Sequence, residues 1–248
     1  MKNNSIIIFS ILFVISCKYV YYTAPKEIKK GFIYKYDGKE THLDSLINIH
    51  GFYIGNSYYI GDMPWHDTVY LRGDMIFFKD GIYTADILSG VYYLHQYKNI
   101  SEYFSVIYRD DSLKIPNNFY ERRIWGRYLL FDDTIKVQYV IRPKLQSSST
   151  MWYAMELWYK IIDKDRILLI FEKPIGISKI EKLYYYERKR NSKPIKRLPD
   201  TFVSTEVLPS SNGWIKKEKW FWENKNDWKN YMDSIKLEKK KTQKTQNL

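Results

Sequence analysis

The order of apolar and polar positions changes character three times along the chain. Ile6 to Ile15 is apolar except for Ser10, with Lys2 before it and Lys18 after it. A membrane-spanning helix needs about 20 apolar residues, so this shorter run predicts a secretory signal: positive start, apolar centre and the small Ser16 at the cut. From residue 46 a unit recurs in which an apolar run meets an acidic turn and then a second apolar run. It appears at 75–87 (MIFFKDGIYTADI), 104–115 (FSVIYRDDSLKI), 127–141 (RYLLFDDTIKVQYVI) and 159–171 (YKIIDKDRILLIF). The turns are Lys79-Asp80-Gly81, Asp110-Asp111, Asp132-Asp133 and Asp163-Lys164-Asp165. Asp bonds to its own backbone and Gly tolerates positive φ, so these are turn residues, and β-prone flanks make them hairpin signals. Ile135, Val137, Tyr139 and Ile141 alternate with Lys136, Gln138 and Arg142, a period of two that marks one buried and one wet face; Val140 interrupts the wet side. Near the end the period lengthens. Trp228, Tyr231, Met232 and Ile235 stand at helical spacing within 224–241, with Asn226 or Asp227 as its cap.

Successive hairpins with short turns predict a mainly β fold: an antiparallel meander closed as a barrel or packed as a sandwich, with a C-terminal α-helix. Composition agrees. Ala, the best helix former, occurs three times, while Tyr (24), Phe (12) and Trp (8) suit a pleated, half-buried surface. Residues 17–45 are polar and basic, with Pro25 and Gly31 as breakers; they read as a tether with a first short strand over Phe32–Tyr36. Gln146–Thr150 and Lys189–Pro199 read as loops.

Val14-Ile15-Ser16-Cys17 resembles a bacterial lipobox, with Val three residues before the cysteine and Ser directly before it. The resemblance covers the first 17 residues. It implies cleavage before Cys17 and acylation there by several chains, each buried methylene adding about 0.8 kcal/mol of membrane affinity. The expected layout is then a signal peptide (1–16), a lipid-anchored tether (17–45), a β-rich domain (46–210), and a C-terminal strand or helix with a basic disordered tail (211–248). The expected place is the cell envelope, on the outer membrane or the periplasmic face.

Cys17 is the single cysteine, which excludes intramolecular disulfides and a Cys-based zinc site. The net charge of +12 suits anionic envelope surfaces better than nucleic acid, which an exported chain rarely meets. A second resemblance, to lipocalin-type barrels, rests on Gly51-Phe52-Tyr53 after the turn at 44–50 and on Trp125-Gly126-Arg127-Tyr128. Phe52 and Tyr53 stand where that family has Trp.

Candidate chemistry is sparse. His42, His50, His66 and His95 share no short metal-binding spacing, and 62–67 (DMPWHD) describes a surface turn as well as a ligand cluster. Asp110-Asp111 and Asp132-Asp133 are paired carboxylates, but adjacent strand residues face opposite ways and turn chemistry accounts for them. No catalytic residues, metal or cofactor is expected. The remaining candidates are aromatic: Trp125, Tyr128, Tyr139, Trp152 and Trp158, with Tyr153, at the mouth or inside of a barrel. Pockets are mostly apolar with a few polar groups, so these residues suit a small hydrophobic ligand. A solid aromatic core would instead fit an accessory subunit that partners an envelope protein.

Overall fold

Acidic turns and alternating flanks give a chain of hairpins that meets its own beginning. The computed structural model describes residues 23–58, 69–85, 123–143, 152–177, 182–183, 186–187, 196–205 and 208–246. The strands are β1 (Gly51–Tyr58), β2 (Val69–Phe77), β3 (Ile82–Ala85), β4 (Ile124–Phe131), β5 (Thr134–Ile141), β6 (Tyr153–Asp163), β7 (Arg166–Ile175), β8 (Lys196–Arg197) and β9 (Asp200–Ser204). All neighbours are antiparallel. β1 pairs with β2 through Tyr53 and Met75, and with β9 through Tyr53 and Phe202. The sheet therefore closes as a barrel of eight strand positions, with β8 continuing the line of β9 along β1. Closure removes the free edges that an open meander would expose.

Three predicted hairpins are present, with Asp80, Asp132-Asp133 and Lys164-Asp165 in their turns. Asp132 takes φ 51°, a left-handed conformation that Asp tolerates better than most residues. The hairpin expected over 104–115, the cluster at 62–67, the loop at 146–150 and the signal at 1–17 lie outside the described residues.

Alternation sorts side chains into two cores. Inside the barrel, Phe77 is the hub: its ring lies 5.9 Å from Tyr53, 5.3 Å from Tyr83, 5.5 Å from Tyr128 and 6.3 Å from Tyr159. Leu43, Ile47 and Ile49, in and after a 3-10 turn at His42–Ser45, are buried in this same core and close the near end. The short turns β2–β3, β4–β5 and β6–β7 are at that end too. The connections at 59–68, 86–123, 142–152 and 176–195 all leave from the opposite end.

The second core lies outside the barrel. Trp125, Val140, Ala154 and Ile175, facing outward from β4 to β7, are buried beneath Ile28, Phe32, Tyr34, Trp214, Ile215 and Phe221. Residues 24–36 and 211–222 form this cover together, bridged in parallel at Tyr36 and Trp222. Gln138, on the outer face of β5, accepts from the N–H of Ile33 (2.8 Å) and Tyr34 (3.2 Å) and donates to Glu156 (2.8 Å). Asp80 joins the cover to the β2–β3 turn, accepting from Tyr36 (3.0 Å), Ser211 (2.7 Å) and Lys216 (2.6 Å). Burial pulls the Lys216 ammonium down from its ordinary range, and the Asp80 charge acts against that pull.

Residues 24–45 are no free tether, because Ala24, Ile28, Phe32, Tyr34, Tyr36 and Leu43 are all buried. The stretch begins with helix α1 (Lys26–Gly31), and in place of a strand over Phe32–Tyr36 there is the single bridge at Tyr36. The C-terminal tail is helical: α2 runs from Lys225 to Gln246. Its start is capped by Asn224 and not by Asn226 or Asp227, which lie inside the helix; the Asn224 side chain accepts from the Asn226 N–H at 2.8 Å. No helix among the described residues is long and apolar enough to cross a membrane.

Candidate functional site

Away from the plugged end, the barrel wall is lined by Ala85, Ile124, Tyr139, Ile141, Tyr153 and Met155. Their shared inward direction follows from register: Ala85 faces Ile124, Tyr139 faces Met155, and Ile141 faces Tyr153. Gly126, between Ile124 and Tyr128, lets β4 and β5 approach closely. A β-carbon there would stand 2.0 Å from the Gln138 carbonyl oxygen.

An acid and a base enter this apolar lining because of a bulge. Tyr159 pairs with Leu169, but Trp158 pairs with Phe171, so Ile170 is the extra residue on β7. A bulge re-aims the side chains that follow it. Phe171 turns outward beside Trp158, and Glu172 takes the inward position opposite Leu157. Arg197 of β8 pairs with Glu172 at 3.1 Å and donates to the Leu169 carbonyl at 3.2 Å. Burial, and then the Glu172 charge, push the Tyr153 hydroxyl up to about 12. It is therefore a neutral hydrogen-bonding group at physiological pH. The arrangement is a mainly apolar wall with one ion pair and the phenols of Tyr139 and Tyr153, which can hold an apolar body and orient a polar group on it.

The five aromatic candidates do not meet in one place. Tyr139 faces this interior, 6.3 Å from Tyr83. Tyr128 also faces inward but at the plugged end; it is fully buried, donates to the Phe78 carbonyl at 2.7 Å and meets the Thr41 hydroxyl at 2.5 Å. Trp125, Trp152 and Trp158 do not line the inside. Trp125 is buried in the outer core, stacked on Phe78. Trp152 packs there against Trp214 at 6.0 Å. Trp158 is half-buried on the outer surface, 4.6 Å from Phe171, under the Lys136 ammonium, and donates to Glu156. The physical reason is parity. Strand residues an odd number apart face opposite sides, so Trp125 cannot share a side with Tyr128, nor Trp158 with Tyr153. Sequence reasoning missed Glu172 and Arg197, because parity counted from Leu169 puts Glu172 outside unless the bulge is known.

Among the described residues no group of three or more His, Cys, Asp or Glu side chains gathers to hold a metal ion. Compared with known proteins, the chain matches no family, no curated protein and no solved structure.

Proposed function

We propose that the barrel is a non-catalytic binding module for a small, mainly apolar ligand, held at the cell envelope by acylated Cys17. One observation carries the binding reading, the asymmetry of the barrel's two ends. One end is plugged by Leu43, Ile47 and Ile49 and joined by tight turns. The other has an apolar lining with, among the described residues, a single ion pair, and the four long strand-to-strand connections leave from it. Binding residues are carried preferentially by such connections on a rigid scaffold. The Glu172–Arg197 pair would orient the polar group of the ligand.

The test is extraction of the purified full chain with organic solvent and mass analysis of what it carries, followed by titration with a fluorescent fatty-acyl probe. Ile141→Trp, which fills the lined end, and Arg197→Ala should each weaken probe binding at least about tenfold, equivalent to 1.4 kcal/mol. Equal affinity in all three chains would sink the proposal.

A second reading, an accessory subunit of an envelope complex, is favoured by a different face. Phe131, Ile162, Ile170 and Phe171 are 46, 44, 48 and 36% exposed on the outside near the plugged end. Clustered exposed apolar residues mark interaction sites. A stoichiometric protein partner lost on Ile170→Lys, with probe binding intact, would support it.

A further inference from the structure

We infer that the face built from α1, residues 217–220 and the first turns of α2 lies against an anionic lipid bilayer. This rests on the lipid-anchor reading, because the anchor fixes which face can reach the membrane. Ala24 is already buried in the outer core. Seven residue steps from Cys17 to Ala24 span at most about 25 Å, less than the reach of a free tether over 17–45. The folded body therefore stands directly on the bilayer, and the part that touches it is the part nearest α1.

That face has the chemistry of an interface. Residues 26–35 and 217–229 carry eight lysines against four acids. Lys30, Lys217, Lys219 and Lys229 are exposed. Ile33 is 65% exposed although its own N–H is pinned to Gln138, so its side chain is held outward. Trp220 and Trp228 are half-buried at the same surface. Trp220 lies 5.6 Å from Phe32 and beneath the Lys35 ammonium, and Trp228 lies beneath that of Lys219. Contacts join the pieces: Lys35 donates to the Trp220 carbonyl at 3.0 Å, and Trp228 to that of Lys217 at 3.0 Å. Lysine with a tryptophan that packs on Phe32, next in sequence to the outward aliphatic Ile33, suits the boundary between headgroups and acyl chains. Basic groups there are drawn to anionic lipid within a Debye length.

The experiment uses the full chain with Ile33→Cys, labelled with an environment-sensitive thiol dye. Because Cys17 is the single native cysteine, acylation leaves one label per chain. On phosphatidylglycerol vesicles the dye emission should shift to the blue. On phosphatidylcholine vesicles, where the anchor alone holds the chain, the shift should be clearly smaller. The excess on phosphatidylglycerol should vanish in 1 M salt, where the Debye length is about 3 Å, and in the chain that also carries Lys30→Glu, Lys219→Glu and Lys229→Glu. The same dye at Ile162→Cys, at the β6–β7 turn, should not move. Equal emission on both lipids, or an excess that survives both salt and the glutamates, overturns the inference. Two labels per chain would show that Cys17 is free, which overturns the anchor. The face is then judged on Cys17→Ser with Ile33→Cys, where no salt-sensitive shift would reject it as well.

Discussion

Gly213 lies on the face of the Trp125 indole so closely that a β-carbon would stand 2.1 Å from the ring. The contact ties the C-terminal cover to the outside of β4. Gly213→Ala should push the cover off the barrel and cost about 1–3 kcal/mol, the usual range for overpacking. A denaturant melt measures this, and faster proteolysis between 205 and 214 should accompany it. An unchanged melt would mean that the cover is not part of the cooperative unit.

Trp125→Ala and Trp158→Ala should separate widely, although both are outward tryptophans. Trp125 is fully buried in the outer core and should cost about 3–5 kcal/mol. Trp158 is half-buried against Phe171 and should cost about 1 kcal/mol, near the centre of the general mutational range. Two melts decide it. Similar losses would place Trp158 in a core rather than on the surface.

Removing Gln138 should be costly beyond its size. Gln138→Ala leaves the Ile33 and Tyr34 N–H groups without their acceptor and Glu156 without one donor. A buried polar group that loses its partner costs about 1–3 kcal/mol. Hydrogen exchange should show the Ile33 and Tyr34 amides losing protection before those of β5.

Alkaline pH should unfold the protein early. Burial and then the Glu156 charge push Tyr34 up to about 12, and burial and then Asp80 push Tyr231 there as well; Tyr153 behaves alike. An unfolded tyrosine ionises near pH 10. Above that the unfolded chain releases protons that the folded chain keeps, so stability present below pH 10 is lost as pH rises towards 12. Lys35 and Lys216, held low mainly by burial, act in the opposite sense. Melts from pH 8 to 12 should show a falling Tm, and Tyr34→Phe should make the fall shallower.

The hairpins were legible because their information is local. Lys79-Asp80-Gly81 and Asp132-Asp133 carry turn chemistry in two or three residues, and Ile135 to Ile141 carry the period of the strand they form. The terminal segments were not legible. Ile28, Phe32, Tyr34 and Tyr36 are diluted by lysines, and a mean over such a stretch looks solvated. Their burial depends on an outer sheet face that residues 211–222 cover as well, far away in sequence. Of the candidate site, Tyr139 was legible, and parity alone would have removed Trp125 and Trp158. Glu172 was hidden by one inserted residue. Deleting Ile170 should remove the bulge and leave Glu172 inward, two steps from Leu169, so its pair with Arg197 and the raised titration of Tyr153 should persist, which absorbance near 295 nm would follow.

Closure of the barrel between β1 and β9 sets a timetable. Gly51 must find Ser204, and Tyr36 must find Trp222. Pairings this distant are slow because the entropy of closing the loop is lost before any contact repays it. A chain emerging from its N-terminus first makes the hairpins early, while β1 keeps one flank unsatisfied until residue 204 arrives. Through that interval the inner tyrosines and the outer core are both open to water and to other chains. The protein is thus most vulnerable to aggregation just before its last fifth is made, and a factor that shields β1 during that wait would raise its yield more than any change to the finished barrel.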